Sequence, residues 1–121
     1  MTYDRRLAER VRVVLKGRRG IAEREMFGGI GFMLHGNMAC GVIGNDLIVR
    51  LGAERQEKAI AAPHVGRFMM PAGPARGWVQ VRPAGTRSEA QLRAWVDEGL
   101  AFARALPAKQ ARGTGSPAPG A

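Results

Sequence analysis

The sequence is short of the residues from which many functional sites are built. Cys40 is its single cysteine, so an internal disulfide is excluded and the usual four-ligand zinc site cannot form on thiolates. No uninterrupted apolar run approaches the length of about 18 residues that a membrane span needs. The residues from Met1 to Arg6 lack the apolar core of a secretory signal. We therefore expect a cytoplasmic protein that does not contact membrane.

Acidic residues are also scarce. The chain has 10 Asp and Glu residues against 19 Lys and Arg residues, which gives a formal charge of +9. A basic excess attracts nucleic acid or anionic surfaces but does not determine a fold. Arginine supplies nearly all of it, a composition that also fits a high-GC genome. The charge therefore permits nucleic-acid binding without requiring it.

The motifs of common catalytic sites are absent. Glycines cluster at 28–31, but no G-x-x-x-x-G-K-[ST] sequence occurs, and Gly29-x-Gly31 lacks the third glycine of a dinucleotide fingerprint. The carboxylates are scattered among basic neighbours, whereas general acid–base catalysis needs carboxylates that flank a cleft. We therefore expect a non-enzymatic protein with no metal and no other cofactor.

The apolar, glycine-punctuated stretch from Met26 to Leu51 is the centre of the predicted fold. It has no charged residue between Met26 and Asn45, and turn-like sequences stand at Gly36-Asn37 and at Gly44-Asn45-Asp46. This pattern predicts a meander of three antiparallel strands.

A two-residue turn at Gly36-Asn37 would pair Met33 with Cys40 and would give the first hairpin two apolar faces. One face would carry Ile30, Phe32, Leu34, Ala39, Gly41 and Ile43, and the other Met33, His35, Met38, Cys40 and Val42. Because an apolar face exposed to water is unusual, the second face should be covered. We expect Met33, Met38 and Val42 to form an interface, and the protein to be a homodimer.

Cys40 and His35 would lie diagonally on that second face, within reach of a thiolate–imidazole pair. Methionines surround both, and a cysteine in such a setting usually behaves as a small hydrophobe. No lysine or helix N-terminus is placed to lower the pKa of the thiol. A nucleophilic Cys40 is therefore only a third, weaker hypothesis.

Helices flank the meander. Apolar residues at helical spacing predict a helix over 4–17, and helix formers ahead of Pro63 predict another over 53–62. A capping box at Ser88 and Gln91 opens a third helix, which Pro107 ends. Five cations follow the polar side of the first helix and its end: Arg5, Arg12, Lys16, Arg18 and Arg19. They are either a solvated face with helix capping, which we favour, or a stripe that contacts phosphates.

Strands are predicted at 68–70 and 78–81, so strands and helices are segregated along the chain. This order indicates an α+β domain over 1–107 with an antiparallel sheet and two layers. Residues 108–121 are rich in Gly, Pro and Ala, carry two cations and predict a disordered tail. We interpret the aromatic residues as core rather than as stacking platforms for bases: Phe27, Phe32, Phe68, Trp78, Trp95 and Phe102.

The segment from Tyr3 to Pro107 resembles the TfoX/Sxy N-terminal domain family. The hallmark run R-x-M-F-G-G-x-x-F-M-x-x-G-x-M stands here between Arg24 and Met38 and includes Met26, Phe27, Gly28 and Gly29. The resemblance implies a bacterial protein with a two-layer sandwich related to secretion-chaperone-like and YjbR-like folds, in the order α-β3-α-β2-α. It supplies no catalytic or binding residues.

In the name-giving members of that family the domain precedes a helical C-terminal domain, and the whole protein promotes expression of competence genes. The leading hypothesis is accordingly a non-enzymatic regulatory or adaptor domain that acts through contacts with an unknown protein partner. The alternative is an accessory protein that binds nucleic acid without sequence specificity, through the basic first helix and the tail.

Overall fold

The computed structural model describes residues 3–108 of the chain. The elements are α1 (Arg5–Leu15), β1 (Ile21–Met26), β2 (Gly29–Leu34), β3 (Asn37–Ile43), β4 (Asp46–Arg50), α2 (Ala53–Ala59), β5 (Val65–Met70), β6 (Gly73–Val81) and α3 (Glu89–Arg104). A 3₁₀ turn at Pro83–Gly85 joins β6 to α3. The tail predicted over 108–121 lies outside the described residues, apart from its first residue.

The six strands form one antiparallel sheet in the order β1-β2-β3-β4-β6-β5. The helices cover one face of it: α3 packs across β3 and β4, α1 packs beside α3, and α2 packs on β6. The predicted α+β class, antiparallel sheet and two layers are confirmed. None of the described helices combines the length and apolar character needed to cross a membrane.

The sheet has one strand more than the predicted order α-β3-α-β2-α. The additional strand is β1, whose sequence Ile-Ala-Glu-Arg-Glu-Met has charged residues at its centre. It is an edge strand, and charges are tolerated there because one side of the strand meets water. Two of these charged side chains bond to the helix side of the sheet: Glu23 forms an ion pair with Arg12 of α1, and Glu25 accepts a hydrogen bond from Tyr3. A pattern search for alternating apolar residues therefore misses β1.

The predicted register of the β2–β3 hairpin was wrong, because the turn lies one residue earlier than predicted and β3 contains an irregularity. The turn is formed by His35 and Gly36, which have φ values of 52° and 84°, and not by Gly36 and Asn37. Two positive φ values are those of a type I′ turn, whose twist matches that of the strands it joins. Leu34 consequently pairs with Asn37, and an irregularity at Ala39 then pairs Phe32 with Cys40. The extra residue at Ala39 moves the β3 side chains that follow it to the face opposite to the predicted one, whereas Met38 stays on the face of Met33.

The ends of the helices follow from their capping residues. The Asp4 side chain accepts hydrogen bonds from the backbone of Arg6 and Leu7 at the start of α1. At the start of α3, Ser88 and Gln91 form the predicted capping box, in which each side chain bonds to the other's backbone N–H. Both caps satisfy amide groups that have no partner within the helix.

The core lies between the sheet and the helix layer. It contains apolar side chains from α1 and α3 and alternate residues of the central strands, among them Leu7, Val11, Phe32, Cys40, Val42, Leu47, Val49, Val79, Leu92, Val96 and Leu100. Phe32 is the largest side chain that is almost fully buried, at 1% exposure. No helix within residues 3–108 lies on the other face of the sheet, which we call the helix-free face, and the candidate site lies there.

Candidate functional site: an apolar groove on the helix-free face

The helix-free face is bent into a groove by the twist of the sheet. The β1–β2 turn and the β5–β6 turn lie at diagonally opposite corners of the sheet. They are at opposite edges in the strand order, and they are also at opposite ends of the strands, since the β1–β2 turn lies level with the start of β4 and the β5–β6 turn lies beyond its end. In a right-handed twisted sheet, diagonally opposite corners bend toward the same face. The two hairpin tips therefore rise on either side of the helix-free face and enclose a groove of about 520 Å³.

The walls of the groove are almost entirely apolar, and most of their side chains are methionine or aromatic. The lining includes Met26, Phe27, Met38, Ile43, Ile48, Phe68, Met69, Met70, Pro71, Ala75 and Trp78. The rings of Phe68 and Trp78 pack together at a centroid distance of 6.2 Å. Ile48 is 6% exposed although it does not belong to the core under the helices, so these side chains form a second apolar cluster.

Two glycines in register keep the floor of the groove low. Gly31 of β2 pairs directly with Gly41 of β3. A Cβ atom on Gly31 would lie 2.7 Å from the Met38 methyl carbon and 3.4 Å from the Met26 methyl carbon. The flexible side chains of Met26 and Met38 thus occupy the space that the two glycines leave. Because methionine changes conformation at little energetic cost, this floor can adjust to an occupant.

The rims of the groove carry two large apolar side chains in contact with water. Phe27, in the β1–β2 turn, is 78% exposed, and Met69, near the β5–β6 turn, is 58% exposed. Phe27 and Gly28 have φ values of 51° and 77°, which again describe a type I′ turn. A Cβ atom on Gly29 would lie 2.5 Å from the carbonyl oxygen of Val42, so only glycine fits there without a shift. The sequence Phe-Gly-Gly thus builds a tight turn that holds a phenylalanine in water.

Arg50 lies between Trp78, which lines the groove, and Phe102 of α3. Its guanidinium carbon lies 5.9 Å from the centre of the Trp78 ring and 5.5 Å from the centre of the Phe102 ring. Its Nη1 donates to the carbonyl oxygen of Met38 at 3.4 Å. Partial burial lowers the pKa of Arg50 from its usual value, although an arginine remains charged near neutral pH. No carboxylate within residues 3–108 forms an ion pair with it.

A comparison with protein families agrees with this structure. The model of the TfoX N-terminal domain matches residues 14–103. The chain belongs to this family. Its resemblance to the family, inferred from the Met-Phe-Gly-Gly run, is therefore confirmed. No match was found among curated proteins or among solved structures.

Of the three residues that were predicted to form an interface, two lie on the groove side of the sheet of this TfoX N-terminal domain. Met38 lines the groove, and Met33 lies beside it on the helix-free face, directly opposite Met38 in the register. Val42 borders the groove, but it belongs to the opposite face of the sheet. Its side chain is 1% exposed and pairs with Leu47 in the core under the helices, as the corrected hairpin register requires. Phe27 was also placed wrongly, since it is exposed on a turn and not in the core.

The corrected register also separates Cys40 from His35. Cys40 is buried in the core opposite Phe32, whereas His35 is exposed in the hairpin turn. Burial raises the pKa of the Cys40 thiol to about 12, so it is protonated near neutral pH. The thiolate–imidazole pair that the sequence suggested is not formed. Within residues 3–108, no three His, Cys, Asp or Glu side chains cluster closely enough to hold a metal ion.

The five cations of the predicted basic stripe differ in whether they form ion pairs. Arg12 forms ion pairs with Glu9 and Glu23, and Arg18 forms one with Asp97. The other three, Arg5, Lys16 and Arg19, are exposed and make no ion pair with any described residue. Arg5 and Lys16 are three helical turns apart on the same side of α1. Part of the stripe is therefore neutralised by the fold.

The sequence did not identify the second wall of the groove. Met69, Met70, Pro71 and Ala75 belong to the β5–β6 hairpin, more than forty residues after the β1–β2 turn. The apolar run Phe68-Met69-Met70 did predict a strand, and its lack of polar residues was the available signal that this strand has an apolar open face. This strand faces Phe27 across the groove because the whole sheet is twisted, and a local sequence pattern does not predict that twist.

Proposed function

We propose that this TfoX N-terminal domain is a non-enzymatic regulatory or adaptor domain that acts through protein contacts made by the groove. The observation that carries the proposal is the apolar groove of about 520 Å³, whose rims expose Phe27 and Met69 to water. Apolar surface of this kind, gathered into one patch, is typical of interaction sites. The family supports a regulatory role of the kind implied by the resemblance, namely control of competence-like genes.

Position-specific photo-crosslinking in cells tests this proposal. A photoreactive amino acid is placed at position 27 or 69 on the groove rims and, as the control, at Val13, which is 55% exposed on α1 in the helix layer. All three positions are exposed and apolar, so their encounters by random collision are similar. We expect protein adducts from positions 27 and 69 and not from position 13. Adducts of equal yield at all three positions would contradict the proposal.

The same experiment addresses the predicted homodimer, which stays a prediction. Covalent adducts at twice the chain mass of 13.0 kDa would indicate that a second copy occupies the groove. Adducts at other masses would indicate a different protein. An interface formed by this face would include Met33 and Met38 but not Val42, whose side chain is on the other side of the sheet.

A nucleic-acid-binding accessory protein is the second candidate function. The observation that favours it is the exposure of Arg5, Lys16 and Arg19, none of which is paired with a carboxylate in residues 3–108. Such side chains would contact phosphates without reading the base sequence. The remaining cations of the stripe, Arg12 and Arg18, would have to leave their ion pairs to take part.

The double variant Arg5→Glu/Lys16→Glu tests this second function. If the stripe binds phosphates, we expect duplex DNA affinity to fall about tenfold or more, and the wild-type affinity to collapse between about 50 and 200 mM salt. Fluorescence anisotropy measures both effects. A variant with the same change of charge elsewhere, Arg24→Glu/Arg76→Glu, is the control for net charge. Equal losses in both variants, or no binding by the wild type at low salt, would exclude the stripe.

A further inference from the structure

Charges are distributed unequally between the two faces of the sheet. The six ion pairs of residues 3–108 all involve the helix layer: Arg12 with Glu9 and with Glu23, Arg18 with Asp97, Arg55 with Glu98, Arg67 with Glu57, and Arg93 with Glu89. Among residues 3–108, Asp46 is the acidic residue on the helix-free face, and its carboxylate accepts a hydrogen bond from Gln80. Within residues 3–108, the carboxylate of the helix-free face is therefore bonded to an amide and not to an arginine.

Two arginines, Arg24 and Arg50, lie next to residues that line the groove. Arg24 of β1 is paired in register with Gly31 and thus shares the face on which Met26 and Met38 lie. It is exposed and makes no ion pair with a described residue. Arg50 of β4 lies against Trp78, which lines the groove. The groove is thus an apolar surface with two neighbouring arginines that form no ion pair with a described carboxylate.

The shape of the site favours a helix over an extended strand as its occupant. A strand adds to a sheet at an edge, where backbone N–H and C=O groups are free, whereas this groove lies on a face and presents side chains. A helix binds such a groove with the apolar residues of one side. The abundance of methionine is also typical of surfaces that accept amphipathic helices, because methionine adjusts to different side chains.

We propose that the groove binds an acidic amphipathic helix of a partner protein, whose apolar side enters the groove and whose carboxylates pair with Arg24 and Arg50. This inference rests on the proposed function, because it names the chemistry of the protein that the groove contacts. Complementary charge determines the choice of partner and its orientation, while the apolar contact provides most of the buried area.

Two designed peptides of about 18 residues, or five helical turns, test the inference. They share the same stripe of leucine and methionine, and their exposed positions are Glu in one and Lys in the other. Binding to the full chain is measured by fluorescence anisotropy. We expect the Glu peptide to bind at least about tenfold more tightly than the Lys peptide. We also expect Met69→Asp to abolish its binding, since that variant places a charge on the groove rim.

A matched pair of charge variants separates the groove from the net charge of +9. Arg24→Glu and Arg5→Glu change the charge equally, but Arg5 lies on α1 in the helix layer. We expect Arg24→Glu to weaken binding of the Glu peptide about tenfold and Arg5→Glu to weaken it less than about twofold. Equal effects of the two variants would overturn the inference, because attraction would then be to the whole molecule. Circular dichroism and thermal unfolding confirm that each variant is folded.

The remaining outcomes distinguish this inference from the proposed function. If both peptides bind equally and Met69→Asp abolishes both, the groove binds apolar segments regardless of charge; the inference fails and the proposed function stands. If neither peptide binds the folded wild type and no crosslinks form at positions 27 and 69, both fail. If sedimentation shows a wild-type dimer that Met69→Asp dissociates, a second copy occupies the groove, and the acidic partner is excluded.

Discussion

Replacing Phe32 with alanine is expected to lower the free energy of unfolding by about 3–5 kcal/mol. The Phe32 side chain is 1% exposed and belongs to β2 at the centre of the core between the sheet and the helices. Its removal withdraws a ring from apolar contact and leaves a cavity that the sheet and helices cannot fully close. Since domains of this size are stabilised by about 5–15 kcal/mol, much of the total stability would be lost.

Phe27 provides a control within the same family motif. It is 78% exposed, and Phe27→Ala should therefore change stability by no more than about 0.5 kcal/mol. Urea unfolding of both variants, followed by circular dichroism, measures the difference, and the midpoint of thermal unfolding should fall by about 10 °C or more for Phe32→Ala alone. Similar losses for the two variants would mean that Phe27 is buried in solution, for instance by self-association.

The two phenylalanines of the family motif differ in what they contribute to the protein. Phe32 follows the Met-Phe-Gly-Gly run by a few residues and stabilises the fold, whereas Phe27 is held in water by a turn that needs positive φ at two positions. A non-glycine residue with positive φ is uncommon, and an exposed phenylalanine contributes little to folding. Folding alone therefore does not account for Phe27. The partner contact proposed above would account for it.

The helices could be predicted from the sequence because their determinants are local. The capping box of Ser88 and Gln91 and the spacing of Leu92, Val96 and Leu100 are contained within a few turns of one segment. The α+β class followed from the order of these segments. The strand β1 could not be predicted in the same way, because its charged centre is stabilised by Arg12 of α1 and Tyr3, which are distant in sequence.

The candidate site was predictable only in part. The sequence showed that the central hairpin has two apolar faces, and Met33 and Met38 do lie on the face without helices. Val42 was assigned to the wrong face because β3 has an extra residue at Ala39, which changes the faces of the residues after it and which no pattern in the sequence marks. The groove itself needs both hairpin tips, and these are brought together by the twist of all six strands.

The close packing of α3 on the sheet predicts a second large change in the free energy of unfolding. Gly99 lies within α3, where an alanine would ordinarily increase helix stability by about 1 kcal/mol. Here a Cβ atom would overlap the carbonyl oxygen of Ala39 and approach the Val49 Cγ1 atom to 3.2 Å. Ala39 is the residue at the irregularity in β3, so α3 packs directly on backbone that cannot move aside like a flexible side chain.

We therefore expect Gly99→Ala to destabilise the protein by about 1–3 kcal/mol, opposite in sign to the effect of helix propensity. Gly66→Ala in the edge strand β5 is the matched control, since its Cβ atom would meet nothing within 4 Å. That substitution should be neutral or slightly stabilising. Urea unfolding of both variants distinguishes the two cases. If Gly99→Ala is as stable as wild type, α3 lies farther from β3 than this packing requires.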